Sequence, residues 1–598
     1  MRLLRKSKIF VLIIVPQFLS MASTCWAQQA AGSTKPSEKP DGMITGRVVN
    51  SAGEPLSGAV VYAGSLGTST RSQRATVDTN GEFKIDGLEA GLYRVSAGAP
   101  GYVPAPQPSP TDSQSYYHIG DSVTLRLIKG GVITGTVTGA KGPLVAVGVY
   151  AIRVRDEAEK PLTPSMGFHE RSTDDRGVYR FYGLLPGGYF IWAAKPRIGL
   201  IAPTAYDNDT PTYFPSSTRD TASEVVVRDG EEITADIQYR AEPGHAISGK
   251  VLGAGESQSQ FLSSASINLT NVRDRSSLVG TSANSFDNFS FAIHGVPDGE
   301  YELSAFQFLQ SRDELRSLPR RVTVRGADVT GMILTLAPLA SIEGRLVFEN
   351  DPKAGCGKRR DTAAQETIVF GRRYEPETKA KVAAKTAPLA DVSLLATNYV
   401  STGVGDAKGS FTLRNLPPGS YRIDPRMPAS GWYVRSIATS AAQTVAARAA
   451  SLVVARDGII LKSGERVSGL TVTITEGAAS IRGRISVAAG QSLPPRMRLY
   501  LVPAERDSSE NLLRFFEGTV ANDGTFVMGN LAPGRYWMIA QPAVGSDSNS
   551  VKSIRSDSAF RSQVLRDGEA LKKEIAFKLC ERTTDYDLPY SPPTSPKQ

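Results

Sequence analysis

Four histidines, His118, His169, His245 and His294, are the side chains best suited to metal or acid–base chemistry in this 598-residue chain. A hydrolytic zinc site needs a His-x-x-Glu pair and a distant third ligand. The four histidines open HIGD, HERS, HAIS and HGVP, so the pair is absent. Neither a Gly-x-Ser-x-Gly nucleophile elbow nor a phosphate-binding loop occurs. Asp78 with Asn80, Asp174 with Asp175, and Asn522 with Asp523 supply two oxygen ligands at most, too few for a calcium loop, and read as turn formers. The sequence therefore predicts no catalytic, cofactor-binding or metal residues and a protein that is not an enzyme. Cys356 and Cys580 remain once a leader containing Cys25 is removed. In an oxidising compartment they are a candidate disulfide; otherwise they are two buried thiols.

The elements around these residues repeat. VDTNGEFKIDGLEAGLYRV (77–95) recurs in grammar at 174–192, 286–303, 406–423 and 522–539. Each copy holds a turn, an alternating strand, a Leu/Val-x-x-Gly-x-Tyr corner and a second alternating strand. The corner tyrosines are Tyr93, Tyr189, Tyr301, Tyr421 and Tyr536, spaced by 96, 112, 120 and 115 residues. An Ile/Val-x-Gly-x-Val/Leu/Ile strand opens each unit at Gly46, Gly135, Gly249, Gly344 and Gly483. Runs such as GDSVTLRL (120–127), DGEEITADIQY (229–239), GADVTGMILTL (326–336), GERVSGLTVTI (464–474) and DGEALKKEIAFKL (567–579) read as closing strands. Short strands at this spacing, with no long 3.6-residue periodicity, argue an all-β fold of five tandem Greek-key β-sandwiches. The expected bounds are 43–128, 130–241, 244–338, 340–476 and 478–580, with a disordered tail at 581–598.

The units resemble carboxypeptidase regulatory-like domains, small sandwiches of the transthyretin-like kind that also resemble collagen-adhesin B-type repeats. Unit one carries the pattern nearly throughout, in GRVV, GEPLSGAVV, DTNGEFKIDGLEAGLY and the GY at 101–102. The other units match mainly in their second halves. The resemblance implies a fold shared by companions of enzymes, receptors and adhesins alike, and it does not by itself imply an activity. Adhesin-type isopeptide staples are not expected, because a first-strand lysine, Lys250, occurs only in unit three, whose closing strand lacks an asparagine.

Residues 1–27 read as a secretory signal: Arg2, Arg5, Lys6 and Lys8, then an apolar core from Ile9 to Phe18, then Cys25 and Ala27 before a cut. Pro16 and Gln17 end the run short of the ~20 apolar residues of a membrane span. Residues 28–42 read as a linker, and no transmembrane segment is expected after cleavage. Losing the four leader cations lowers the formal charge from +9 to +5, an excess too diffuse to argue for nucleic acid. The expected location is exported: periplasmic, outer-membrane-associated or extracellular.

Two units differ from the rest on the tyrosine strand. With the tyrosine facing inward, the opposite side carries Phe190 and Trp192 in unit two and Trp537 and Ile539 in unit five. A strand apolar on both faces is covered on both, by an insertion or a neighbouring unit. Alternatively these residues form a binding face for sugar rings or a protein partner. Tyr206, Tyr213 and Phe214 in the insertion at 205–220, and Trp432 and Tyr433 in unit four, are further candidates. The insertion at 353–385 holds nine Lys/Arg against four acids and is either a solvated stretch or a contact for anionic polymers. The expected function is a non-catalytic scaffold for binding or adhesion at the cell envelope, its partner a carbohydrate polymer or a cell-surface protein. The alternative is an accessory to a receptor or hydrolase on another chain.

Overall fold

The computed structural model describes residues 42–66, 72–106, 116–162, 168–196, 204–253, 264–273, 277–309, 311, 313–351, 363–374, 400–427, 431–439, 454–455, 458–487, 492–521, 523–543, 553–555 and 557–590. The fold is all-β, and among these residues the strands assemble into five sandwiches. In the first, one sheet contains Glu82–Leu88, Gly42–Val49, Ser122–Lys129 and Tyr102–Pro104, in that order. The facing sheet runs Ser72–Thr76, Val60–Ser65, Leu92–Gly98, Tyr116–His118. The opening strand is antiparallel to its hairpin neighbour and parallel to the strand that closes the unit. The same parallel closure joins Gly131–Gly139 to Glu232–Thr234 and Ile237–Gln238, His245–Leu252 to Val329–Pro338, and Ala340–Glu349 to Arg466–Glu476. In the third sandwich the short strand Glu314–Ser317 pairs with both sheets and fuses them.

Two positions of the repeat explain this closure. The opening-strand glycine has no room for a side chain: a Cβ on Gly46 would lie 2.0 Å from the Val123 carbonyl oxygen, and one on Gly249 would lie 1.9 Å from that of Met332. The corner tyrosine is buried in every unit, and its hydroxyl donates to the carbonyl four residues earlier. The acceptors are Glu89, Leu185, Pro297, Pro417 and Ala532, all at 2.7–2.8 Å. Each ring thus fills its core while its polar end pins the turn that enters the strand.

The fifth sandwich departs from the sequence reading. Its closing strand is Arg582–Pro589, parallel to Ala479–Ser486, in the stretch expected to be a disordered tail; residues 591–598 lie outside the described residues. The run 567–579 instead contains the end of a helix, Ser558–Leu571, and the strand Glu574–Phe577. The misreading has a physical cause. In units one, two and four the closing strand follows a turn whose acid carboxylate accepts the N–H three residues before it. The pairs are Asp121 with His118, Glu231 with Arg228 and Glu465 with Lys462. The third residue of that turn is Gly120, Gly230 or Gly464, each at positive φ. Unit five builds the same turn from Lys578 and Glu581, but the left-handed position (φ 61°) is Cys580. Without the glycine this turn carries no sequence signal, whereas Asp-Gly-Glu at 567–569 does.

Neighbouring sandwiches share short junctions, since each closing strand runs within a few residues into the next opening strand. Sandwich one also meets sandwich four. Leu92 and Tyr116 form a buried cluster with Ile368, flanked by Leu66, Phe370 and Val404, and the Arg426 guanidinium lies 5.4 Å from the Tyr116 ring centre.

Candidate functional site

The histidines are distributed over the first three sandwiches. His118 contacts Asp121 at 3.3 Å, and His245 stands 3.3 Å from Asp298 and 3.8 Å from Asp328. His169 packs edge-on to Phe181, and its burial lowers its pKa, with Arg171 adding to the effect. Among the described residues no three His, Cys, Asp or Glu side chains converge as a metal ion would require. The turn carboxylates are occupied by their own loops. Asp78 accepts from the N–H groups of Asn80 and Glu82, and Asp174 from those of Arg176 and Val178. Asp523 accepts from the N–H of Thr525.

The aromatic faces of sandwiches two and five are covered by their own insertions, the first of the two readings of a strand apolar on both sides. Trp192 is 5% exposed and stacks between Tyr150, at 5.3 Å, and Tyr213, at 5.5 Å. Tyr213 comes from the 205–220 insertion, whose strand Thr212–Tyr213 pairs with the tyrosine strand Gly187–Ala194. Arg219 lies 4.1 Å over the Phe190 ring. Phe214 turns to the other side and packs against the main core of sandwich two, as does Tyr206. In sandwich five the cover is the helix Ser558–Leu571, capped by Asp557, whose side chain accepts from the N–H of Phe560. Its buried residues Phe560, Val564 and Gly568 lie on one face. With Tyr500, Val502, Leu512, Phe515 and Ile554 they enclose Ile539, 2% exposed, and pack on Trp537. Gly568 admits the helix closely, since a Cβ there would lie 2.8 Å from that of Trp537. The Asp557 cap and the i, i+4, i+8 spacing of Phe560, Val564 and Gly568 are visible in the sequence. Trp432 belongs to the core of sandwich four, edge-on to Phe348 at 5.3 Å.

Phe190, Trp192, Tyr213, Trp537 and Ile539 therefore form second cores, Phe214 and Trp432 belong to main cores, and they do not converge on one site. Among the described residues a cleft opens where sandwich four meets sandwich five. Its volume is about 190 Å³, and it is lined by Ile423, Asp424, Met427, Tyr433, Phe516 and Arg555, among others. The Arg555 guanidinium donates to the Phe515 carbonyl oxygen at 2.8 Å and to Asp424 at 3.3 Å. Asp424 also lies 3.4 Å from Arg372, and Arg422 donates to the Arg555 carbonyl oxygen. Asn530 of sandwich five donates its side-chain N–H to the Trp432 carbonyl oxygen at 2.7 Å. Burial raises the pKa of the Tyr433 hydroxyl. The cleft offers charge and hydrogen bonding without a nucleophile–base pair. Cys580 is disulfide-bonded, and its N–H donates to the Gly477 carbonyl oxygen at the same junction. Cys356 lies outside the described residues.

Residues 43–118 match the family model of the carboxypeptidase regulatory-like domain. Over that stretch the first sandwich is similar to carboxypeptidase regulatory-like domains. The other four repeat its parallel closure and its tyrosine corner, so the chain is a tandem array on this fold. Among solved structures, two B repeat units of the collagen-binding protein of Staphylococcus aureus align at 10% identity, over 73% of this chain and 100% of theirs, with a TM-score of 0.12. A minor pilin of Streptococcus agalactiae aligns at 14% identity, over 33% of this chain and 94% of its own, with a TM-score of 0.17. The Bacillus anthracis TIE protein aligns at 15% identity over 50% of this chain, with a TM-score of 0.13; this chain spans 51% of that one. No curated protein matches in sequence. At such TM-scores these likenesses carry no weight for function. No helix among the described residues is long and apolar enough to cross a membrane.

Proposed function

We propose that the chain is a non-catalytic, exported scaffold that binds a carbohydrate polymer or a cell-surface protein at the cell envelope. One observation carries this reading: the outward sheet faces are covered from within the chain. In units two and five they are covered by the unit's own insertion, and in unit four by contact with sandwich one. A chain that uses its aromatic and charged surface this way holds its domains at fixed positions and displays their remaining edges. The leader at 1–27 and the five bounds given above belong to this proposal, with the last unit extended to Pro589. The test is a glycan array and a surface-protein pull-down with the chain from Gln28 onward. Retention of a polymer or a protein supports the scaffold. Turnover of a glycan or peptide by the purified chain refutes it.

A further inference from the structure

We propose that sandwich one is a detachable cover: its contact with sandwich four opens and closes while both sandwiches stay folded. This goes beyond the scaffold reading above and makes one joint of the array movable. The contact is built from outward residues on both sides. On sandwich one, Leu92 and Tyr116 stand on the paired strands Leu92–Gly98 and Tyr116–His118. Their chain neighbours Tyr93 and Tyr117 turn to that sandwich's own core. On sandwich four, Ile368 and Phe370 alternate with Val369, which belongs to the core there. Val404 lies opposite Ile368 on the adjoining strand. Leu92, Tyr116 and Ile368 are buried together, with Leu66, Phe370 and Val404 partly buried at the margin. The Arg426 guanidinium beside the Tyr116 ring adds one charged contact. A Cβ on Gly91, in the corner of sandwich one, would lie 3.9 Å from the Gln365 carbonyl oxygen.

This cover differs from the others in three ways. Its cluster shares no buried residue with the main core of either sandwich, so parting it leaves the packing of both intact. It is small, with three buried side chains, whereas an interface must be large as well as apolar to hold two domains immobile. And among the described residues no strand of sandwich one pairs with a strand of sandwich four. The cover of unit two is a strand paired with the tyrosine strand itself, and that of unit five is a helix of the same sandwich. The neighbouring sandwiches are tied to sandwich four by hydrogen bonds. Asn530 of sandwich five donates to the Trp432 carbonyl oxygen, and the Glu314 N–H of sandwich three donates to the Asn415 side chain at 2.9 Å. Sandwich one meets sandwich four across the two sandwiches that separate them in the chain. Because the cluster is apolar, its strength follows the hydrophobic effect, weaker on cooling and stronger in sulfate. Opening uncovers Leu92, Tyr116, Ile368 and Phe370 and lengthens the array.

Small-angle scattering by the chain from Gln28 onward tests the proposal. The radius of gyration of the unaltered protein should rise on cooling and fall in sodium sulfate. Ile368→Asp, which sets a carboxylate in the contact, should raise it by roughly 10% or more and abolish the response to cooling and sulfate. Leu92→Asp should do the same from the other side. Ile460→Asp, at a residue of the same sheet that is 71% exposed, should change nothing. Far-UV circular dichroism and Trp432 emission should stay native throughout, because Trp432 lies in the core of sandwich four. A radius indifferent to temperature, sulfate and substitution overturns the proposal. A response to substitution alone overturns it too, since the contact would then be a permanent junction. Unfolding by both Ile368→Asp and Leu92→Asp would make the contact part of the fold and end the proposal; if one variant unfolds, the radius of the other decides.

Discussion

Ending the chain after Glu581 removes the strand Arg582–Pro589, and the effect on the fifth sandwich follows from its register. Six residue pairs join that strand to Ala479–Ser486. Each ladder hydrogen bond contributes about 0.5–1.5 kcal/mol. Leu588, 2% exposed, belongs to the core and adds roughly 1.5–3 kcal/mol. Together these approach the ~5–15 kcal/mol that holds a whole domain, so sandwich five should not fold. Trp537 reports the loss, because it packs under the helix of that sandwich. Its emission should shift to the red, and the region from 479 onward should become protease-sensitive. A chain ended after Tyr590 should match the full-length protein. Gly483→Ala provides a finer test: its Cβ would lie 2.2 Å from the Tyr586 carbonyl oxygen and 2.8 Å from the Phe526 ring. The expected cost is about 1–3 kcal/mol, whereas Gly64→Ala, with no atom within 4 Å, should cost little. If the chain ended at Glu581 keeps native Trp537 emission and protease resistance, the closing strand is misassigned.

Trp192→Ala should destabilise sandwich two by about 3–5 kcal/mol, read by denaturant titration, while polymer binding by the folded protein stays unchanged; a selective loss of binding would restore the aromatic face as a ligand site. Burial pushes the Tyr189 hydroxyl up to about 12. Its folded pKa is raised, so stability is complete below about pH 10 and falls as pH rises from there through 12, and Tyr189→Phe should flatten that alkaline loss in a pH series of melts. Pairing of Cys356 with Cys580 predicts no reactive thiol in the unreduced, denatured mature chain and two after reduction; two thiols before reduction would exclude the link.

The repeat was readable because its instructions are local. A glycine where a closing strand's carbonyl approaches, an Asp-led turn and a tyrosine four residues after its acceptor act within a few residues of themselves. The same logic explains the error in unit five, where Cys580 stands in the glycine's left-handed position and hid a turn whose Lys578 and Glu581 were visible. The helix Ser558–Leu571 gives a weak sequence signal because its buried face is only three residues and includes a glycine.

Sequence alone determined the all-β class, the repeat and the inward half of every strand, since side-chain alternation and turn chemistry belong to the local chain. It also showed which outward residues are unusual, Phe190, Trp192, Trp537 and Ile539. What it could not decide is whether such residues face water or another part of the chain. That depends on where segments distant in sequence come to rest. The contacts of Tyr213 with Trp192, the helix with Ile539, and Tyr116 with Arg426 join residues about 20, 20–30 and 300 positions apart. Only the tertiary structure turned the predicted aromatic faces into second cores.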